Sequence, residues 1–316
     1  MGATATPRPA ELAVAASGGR DSTALLHATL RAARPLGVRV HALHVHHGLH
    51  PQADTWQRQV RTQCRRWGAI FHATRLSGAP APAESVEAWA RRERYAALAT
   101  MARAAGCDIV LLAHHRRDQA ETVLLQLLRG GGARGLAAMP ADAKRGGLRW
   151  LRPWRDQPRE AIEAYLRQHR LRWVDDPGND DGRYARNRLQ QVVWPALTDA
   201  FPQAEAALAQ AAARAAEEAA ALREFVAQDA AACADGDALR VAAWRALSPA
   251  RQALLLRHQV EVWSGRGVPG TLVRRLQAEL PGAASGQWPA PGGRLVLRKG
   301  RLSYQRDPSG PGQHSD

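Results

Sequence analysis

The chain has few cysteines, almost no lysine and no long apolar run. Only three cysteines occur among 316 residues, and no two of them form a C-x-x-C pair. That scarcity argues against a disulfide framework, a structural zinc site or a clustered iron–sulfur site. The apolar runs fall far short of the ~20 residues that a transmembrane helix needs, and the N-terminus has no apolar signal core. These absences predict a cytoplasmic protein with no membrane segment.

Positive charge is abundant, although lysine is rare. Of 44 basic residues only Lys144 and Lys299 are lysines, and the excess over 29 acidic residues gives a net charge of +15. An arginine-biased genome explains why arginine is used instead of lysine, but it does not explain the excess of bases over acids. Guanidinium groups suit phosphates and stacked bases. The charge balance therefore favours a nucleic-acid partner.

Near the N-terminus, the sequence L-A-V-A-A-S-G-G-R-D-S-T-A-L-L-H predicts a strand, a glycine turn and a helix. Residues 12–16 are short and apolar, as in a buried strand, and leucines follow the turn at helical spacing. Free N–H groups and the positive dipole end at a helix start favour a phosphate. Two serines add hydroxyl donors, and Asp21 adds a carboxylate that can hold Mg²⁺ beside a phosphate.

Two familiar phosphate loops are excluded by the letters S-G-G-R-D-S. A Walker loop needs a lysine, and a Rossmann turn needs G-x-G-x-x-G. The hexapeptide instead resembles the S-G-G-x-D-S loop of ATP pyrophosphatases, which cleave ATP between its α and β phosphates. The plain alternative is a glycine turn with an ordinary helix cap. The resemblance implies ATP as cofactor, held by Ser17, Gly18, Gly19, Arg20, Asp21 and Ser22.

Strand-like and helix-like segments alternate through the first part of the chain. Further strands are predicted at residues 38–46, 69–74 and 108–113, and helices at 55–67, 84–105 and 118–128. This alternation predicts an α/β fold with a doubly wound parallel sheet. Ligands of such folds bind at the carboxyl ends of the strands, so we expect the loops after residues 16, 46 and 113 to form the site.

The later part of the chain has a different pattern of predicted elements. Helices are predicted at residues 204–229 and 240–280, and a hairpin at 294–305 that turns at Lys299-Gly300. We therefore predict an ATP-binding catalytic domain at 1–195 and a mainly helical domain at 196–305. The Gly-, Pro- and Ser-rich residues 306–316 are predicted to form a disordered tail.

Histidines and acids follow two of the predicted strands. The segments H-V-H-H at 44–47 and H-H at 114–115 could supply metal ligands, but no H-E-x-x-H or H-x-x-E-H spacing occurs, so we favour nucleotide contacts from His46 and His114. Asp118 and Glu121 share one face of a predicted helix start. They are either favourable acids at a helix N-terminus or a Mg²⁺ ligand and an acid that meets a cationic substrate, and their spacing leaves both interpretations open.

Several segments in order resemble the tRNA(Ile)-lysidine synthetase family, from about residue 13 to residue 187. They are S-G-G-R-D-S, H-V-H-H-G-L, E-x-x-A-R-x-x-R-Y, A-H-H-x-x-D-Q-A-E-T, R-G-G-G-A-R-G-L-A-A-M, R-P-W and W-V-D-D-P-G-N-D-D-G-R-Y-A-R-N. Members of the family join lysine to the wobble cytidine of the isoleucine tRNA with a CAU anticodon. An adenylated cytidine is the intermediate, and AMP and pyrophosphate are released.

The resemblance implies a fold of the adenine nucleotide alpha-hydrolase type and a ligase that uses ATP and Mg²⁺. It implies tRNA and free L-lysine as partners and is compatible with a homodimer. It also implies that the helical remainder of the chain holds the tRNA body. The implied catalytic residues are Asp21, Asp118 and Glu121, with Asp21 and Asp118 as the metal ligands. The implied substrate contacts are Glu87, Arg94, Arg183, Tyr184, Arg186, Asn187 and Arg188. A solvated charged turn is the alternative for the last five.

Two departures from the family pattern stand out. The family commonly has two acids before Q-x-E-T, and the first of them is Arg117 here. Longer members carry an additional C-terminal domain, and we interpret this chain as a short form that lacks it. The rival functions are a tRNA 2-thiocytidine synthase, which would need suitably placed cysteines, and a tRNA-binding protein whose ATP site has decayed, of which Arg117 would be the first sign.

Overall fold

The computed structural model describes residues 10–48, 52–81, 85–174 and 185–307. Contacts divide the chain into two compact units, residues 1–216 and 217–316. The sequence placed a boundary after residue 195, whereas the division between the units falls inside a long helix, Ala204–Cys233. Of the predicted disordered tail, residues 308–316 lie outside the described part. No described helix has the length and apolarity needed to span a membrane.

The first unit is built on a six-stranded sheet. Its strands are β1 Glu11–Ala15, β2 Arg39–His46, β3 Ile70–Arg75, β4 Ile109–Leu111, β5 Asp142–Arg145 and β6 Leu148–Leu151. Its helices are α1 Arg20–Ala33, α2 Ala53–Trp67, α3 Val86–Ala104, α4 Arg116–Leu128, α5 Ala133–Leu136, α6 Arg159–Gln168, α7 Ala185–Arg188, α8 Trp194–Ala200 and the start of α9 Ala204–Cys233. A 3-10 turn, Arg34–Leu36, and a π-helical segment, Leu189–Val193, complete the description.

The strand order is β3-β2-β1-β4-β6-β5, and β5 is the one antiparallel strand of this sheet. Neighbouring residues of β1 enter two different cores, because Ala13 packs with the cluster that contains Trp150, whereas Val14 packs with the cluster that contains Leu25. A strand buried on both faces is typical of a doubly wound sheet, so the predicted fold class is confirmed. The chain order reverses between β1 and β4, and ligands of such sheets bind at this point.

The second unit combines helices with a five-stranded antiparallel sheet. After α9 it contains β7 Ala234–Asp235, β8 Ala238–Arg240, α10 Val241–Arg245, α11 Pro249–Ser264, α12 Gly270–Glu279, β9 Gly286–Ala290, β10 Gly293–Arg298 and β11 Arg301–Arg306, with sheet order β7-β8-β11-β10-β9. The predicted helical character and the hairpin of β10 and β11 are confirmed. The single helix predicted at 240–280 is three helices, because Pro249 begins α11 and Pro269 is the N-cap of α12.

Candidate functional site

The loop between β1 and α1 concentrates hydrogen-bonding groups at a helix start. Gly19 is the N-cap of α1 and has an extended backbone. The N–H of Gly18 donates to Ser22 Oγ at 3.2 Å, and the N–H of Gly19 donates to Ser17 Oγ at 3.3 Å. The two hydroxyl oxygens lie 2.9 Å apart. Backbone N–H groups and hydroxyls thus converge where a helix dipole favours an anion, as predicted from the sequence.

Gly18 is required by the shape of this loop. Its φ is +92°, and a Cβ on it would lie 2.7 Å from Val60 Cγ2 and 3.4 Å from Val174 Cγ2. Its carbonyl oxygen accepts a hydrogen bond of 2.8 Å from the N–H of Val174. The backbone at this position is therefore held between α2 and the segment that precedes residue 175, with no room for a side chain.

The loop opens into a cavity of about 740 Å³ at the carboxyl ends of the strands. Of the predicted site residues, the structure places in its lining Ser17, Gly19, Arg20, Asp21, Ser22, Arg94, His114, Asp118, Glu121, Arg186 and Asn187. Glu87 and Arg188 are exposed and lie outside this lining. Arg183 and Tyr184 belong to residues 175–184, outside the described part. A volume of this order is typical of small-molecule sites.

Arg186 connects the two acids of α4. Its Nε donates to Glu121 Oε2 at 3.1 Å, and its Nη2 pairs with Asp118 Oδ1. Gln190 Nε2 also donates to Glu121 Oε2, at 2.9 Å. Burial raises the pKa of Glu121 above its usual range, and Arg186 and Gln190 offset only part of that rise. The sequence left two interpretations of these acids open. A role as favourable acids at a helix N-terminus does not account for Glu121, because Glu121 is buried against the cavity.

His115 connects the start of α4 to the phosphate loop. Its Nε2 lies 3.7 Å from Asp21 Oδ2 and 3.6 Å from Asp118 Oδ2. Asp118 Oδ2 also accepts a hydrogen bond of 2.8 Å from the N–H of His115, which caps the helix. His115 was not singled out from the sequence, because one histidine of an adjacent pair carries no local signal of its role.

The carboxylates Asp21 and Asp118 suit a hard cation. They are oxygen donors that line the cavity, each within 3.7 Å of His115 Nε2, and Mg²⁺ is commonly held by one or two carboxylates together with substrate phosphates. Within the described residues no group of three or more His, Cys, Asp or Glu side chains has a metal-binding arrangement. The histidine-rich metal site that the sequence left as an alternative is thus not formed by the part of the chain that the structure describes.

His114 is neutral in this environment. Burial depresses its pKa well below the usual range, and nearby arginines, Arg152 foremost, act in the same direction. Arg152 Nε donates to His114 Nδ1 at 3.2 Å. The ring proton is therefore on Nε2, which makes that nitrogen a hydrogen-bond donor.

Arginines dominate the cavity lining. They are Arg20, Arg94, Arg117, Arg159 and Arg186, against the three acids Asp21, Asp118 and Glu121. Burial and the neighbouring Arg91 and Arg186 lower the pKa of Arg94, whose Nε has no hydrogen-bond partner among the described residues. A buried guanidinium nitrogen without a partner is a candidate donor to an oxyanion. The excess of cations suits a polyanion such as a triphosphate.

The second strand presents His47, and not His46, to the cavity. Leu43, Val45 and His47 line it, as the two-residue period of a strand requires. Both ring nitrogens of His46 are engaged elsewhere, because Nδ1 accepts from the N–H of Gly48 at 3.1 Å and Nε2 lies 3.1 Å from Asp54 Oδ1. The period of β2 was the signal that could have identified His47 in the sequence.

Alanine variants separate these two histidines. We expect His46→Ala to lower the free energy of unfolding by about 1–2 kcal/mol, since it removes buried hydrogen bonds, and to leave the affinity for ATP within a factor of two. His47→Ala should weaken ATP binding by about tenfold, the loss of roughly one hydrogen bond to a charged group. Denaturant unfolding and calorimetric titration with ATP measure the two effects, and the reverse assignment would support the original prediction for His46.

None of the three cysteines lines the cavity. Cys64 lies in the core that contains Val60, Cys107 lies in the core that contains Trp150, and Cys233 lies in the second unit. All three are buried, and burial raises the pKa of Cys64 to about 12 and that of Cys107 to about 11. Thiols that stay protonated in separate cores do not suit sulfur transfer, which disfavours the thiocytidine synthase alternative.

Comparison with known proteins identifies the family of the chain. Residues 3–197 match the PP-loop domain family. The chain is 45% identical over 274 residues to the tRNA(Ile)-lysidine synthase of Ralstonia nicotianae, covering 86% of this chain and 59% of that protein. It is 46% identical to the enzymes of the same name from Polaromonas naphthalenivorans, covering 78% of this chain and 74% of that protein, and Bordetella pertussis, covering 80% of each. The chain thus spans less than two thirds of the first of these relatives and more of the other two.

A solved structure supports the fold independently. The U34-tRNA thiolase NcsA from Methanococcus maripaludis, solved with its [4Fe-4S] cluster, superposes with a TM-score of 0.57 over 67% of this chain and 74% of that one. The two sequences are 14% identical. At that identity the similarity concerns the architecture alone.

Proposed function

Because the chain belongs to the PP-loop family and, within it, to the tRNA(Ile)-lysidine synthases, we propose that it ligates lysine to the wobble cytidine of the isoleucine tRNA with a CAU anticodon. The observation that carries this proposal is that the phosphate loop and the buried acid Glu121 open into the same cavity. One loop suits a triphosphate, and the acid suits a cationic amine. Asp21, Asp118 and Glu121 are its proposed catalytic residues.

In the first step, the cytidine O2 forms a bond to the α-phosphorus of ATP, and the bond from that phosphorus to the bridging oxygen breaks. Pyrophosphate leaves towards the loop of Ser17 to Ser22, whose N–H groups and hydroxyls stabilise its charge. Arg94 and the Nε2 proton of His114 supply donors within the same cavity. Cytidine O2 is a poor leaving group and an AMP ester is a good one, which is why ATP is consumed.

In the second step, the ε-amine of lysine attacks C2 of the cytidine, and the bond from C2 to the esterified oxygen breaks to release AMP. The ammonium must first lose a proton. Glu121 suits the role of proton acceptor because burial raises its pKa. Its Oε1 lies 3.6 Å from Arg117 Nε. Arg186 and Asn187 are proposed to contact the base and its flanking phosphates.

Mg²⁺ would be held by Asp21 and Asp118, and when bound it would neutralise charge on the phosphates.

The tRNA body would be held by exposed arginines through phosphate contacts that are sensitive to salt. The exposed candidates on the helices of the later part of the chain are Arg214, Arg223, Arg274 and Arg275. The homodimer, the cytoplasmic location and the contacts assigned to Glu87, Arg183, Tyr184 and Arg188 stay predictions from the sequence.

The decisive experiment measures pyrophosphate release from ATP. We expect sustained release only when both the tRNA and lysine are present, because without lysine the reaction stops after the first step, and we expect incorporation of labelled lysine into the tRNA at the same rate. Turnover that is indifferent to lysine would contradict the ligase proposal and leave the ATP chemistry standing. Complete inactivity with every tRNA would favour the alternative of a tRNA-binding protein whose ATP site has decayed, of which Arg117 would be the first sign.

A Glu121→Gln variant tests the lysine site. We expect the KM for lysine to rise by about 10- to 100-fold, since a hydrogen-bonded charge contributes about 1.5–3 kcal/mol. In the unmodified protein the KM for lysine should also rise as the pH falls through the raised pKa of Glu121, because protonation removes the negative charge. The variant should lack that pH dependence.

Glu93→Gln is the matched control, because Glu93 pairs with Arg92 on α3 and lies outside the cavity lining. Its KM for lysine should stay within a factor of two at every pH. Equal changes in both variants would remove Glu121 from the lysine site.

A further inference from the structure

A second cavity adjoins the proposed active site. It has a volume of about 580 Å³, and Arg117 lines both cavities. Its remaining walls come from Arg116, from Glu160 at the start of α6 and from residues 194–206, none of which the proposed mechanism uses. A cavity of this size accommodates a nucleoside-sized ligand.

A planar cation packed on an aromatic ring lines this second cavity. The guanidinium of Arg117 lies over the ring of Trp194, 4.7 Å from its centroid, and Trp194 is buried. The Nε of Arg117 has no hydrogen-bond partner among the described residues. A guanidinium that packs on an aromatic ring with one face can stack on a base with the other, and unpaired RNA bases commonly stack on guanidinium planes.

The edges of the second cavity supply acceptors and one amide. Glu160 and Gln203 line it and are exposed. The hydroxyl of Thr198 donates to the carbonyl oxygens of Trp194 and Pro195, at 3.0 and 3.1 Å, so its oxygen remains an acceptor. An amide pairs well with adenine, whose edge carries an amine beside a ring nitrogen. Carboxylate and hydroxyl oxygens likewise favour a base with an exocyclic amine.

We propose that the second cavity binds the adenine that follows the modified cytidine in the CAU anticodon, stacked on Arg117 with its exocyclic amine towards Gln203. The inference rests on the proposed function for the position of the cytidine. It also gives Arg117 a use at the position where the family commonly has an acid. The chain would thereby read a second anticodon base while the first is being modified.

A cycle of paired changes tests the contact. The tRNA is assembled with purine in place of that adenine, which removes the exocyclic amine, and the protein carries Gln203→Leu. Each change alone should lower kcat/KM by about tenfold, a loss typical of one base contact, and both together should lower it no further. Losses that multiply to about 100-fold would overturn the contact, as would the absence of loss from either change.

Gln210→Leu is the matched control, because Gln210 is exposed on α9, which begins directly after Gln203, and lies outside both cavities. It should keep the full activity and the full penalty for purine. A loss in this control equal to that of Gln203→Leu would show a general effect of the helix and would overturn the assignment.

A binding measurement decides the inference even when no ligase activity is found. With 2-aminopurine in place of the adenine, its fluorescence should change when the protein binds, because the base exchanges stacking on neighbouring bases for stacking on Arg117. The change should be lost with Arg117→Met and kept with Gln210→Leu. Fluorescence that does not change on binding, or changes equally in Arg117→Met, overturns the proposal, whereas an absence of lysine-dependent turnover counts against the proposed function alone.

Discussion

A Gly18→Ala variant is expected to lose at least about 100-fold in pyrophosphate release, since displacement of a reacting group by roughly 1 Å costs that much. The added Cβ would stand 2.7 Å from Val60 Cγ2, and the φ of +92° is strained for any residue with a side chain. Val60 is buried in the core and cannot turn away. The loop must therefore move, and the N–H groups that face the phosphates move with it.

Gly68→Ala separates this clash from the cost of a left-handed backbone. Gly68 ends α2 with a φ of +86°, and a Cβ there would meet nothing within 4 Å. We expect its kcat to stay within about threefold of the unmodified protein, with a loss of stability of about 1 kcal/mol. Pyrophosphate release measured under saturating ATP, tRNA and lysine gives the comparison. Equal activity of the two variants would show that the loop tolerates the clash.

Removing Arg186 should produce the largest loss of stability. In Arg186→Met the buried carboxylate of Glu121 and its neighbour Asp118 lose their shared cation. Breaking a buried ion pair from one side costs about 3–5 kcal/mol, and we expect about 3 kcal/mol because the side chain of Arg186 is 28% exposed. Denaturant unfolding of the full chain at two pH values measures it.

The loss should depend on pH in a defined direction. The pKa of Glu121 is already raised by burial, and removal of Arg186 raises it further above that of the unfolded chain. The cost is therefore present at high pH and fades as the pH falls through that pKa, where the protonated carboxyl needs no counter-charge. Arg149→Met, which breaks an exposed pair with Asp142, should change stability little at either pH. A loss that is independent of pH would contradict this account.

Local patterns account for the features that were predicted correctly. The hexapeptide from Ser17 to Ser22 specifies its loop through adjacent residues, and the alternation around Lys299-Gly300 specifies a hairpin. The pairing of Arg186 with the acids of α4 joins residues 65 and 68 positions apart. Spacing patterns in the sequence do not predict contacts over such separations, because these contacts depend on the topology of the whole sheet.

The remaining strands of the second unit were missed for a different reason. The strand β9 contains Gly286 and Pro289, which both disfavour strands, and β7 and β8 have only two and three residues. Trp288 is buried in the core of this unit and its Nε1 donates to Glu279 Oε2 at 2.6 Å. Tertiary packing thus holds β9 in the sheet against its own propensity.

The bond from the N–H of Val174 to the carbonyl oxygen of Gly18 has a thermodynamic consequence. It makes the conformation of the phosphate loop and that of Val174 depend on each other. If ATP binds more tightly when this bond is formed, then ATP must stabilise the bond by the same factor, because linkage is reciprocal. Any RNA contact that immobilises Val174 would then raise the affinity for the nucleotide without touching it, so that the two substrates bind cooperatively.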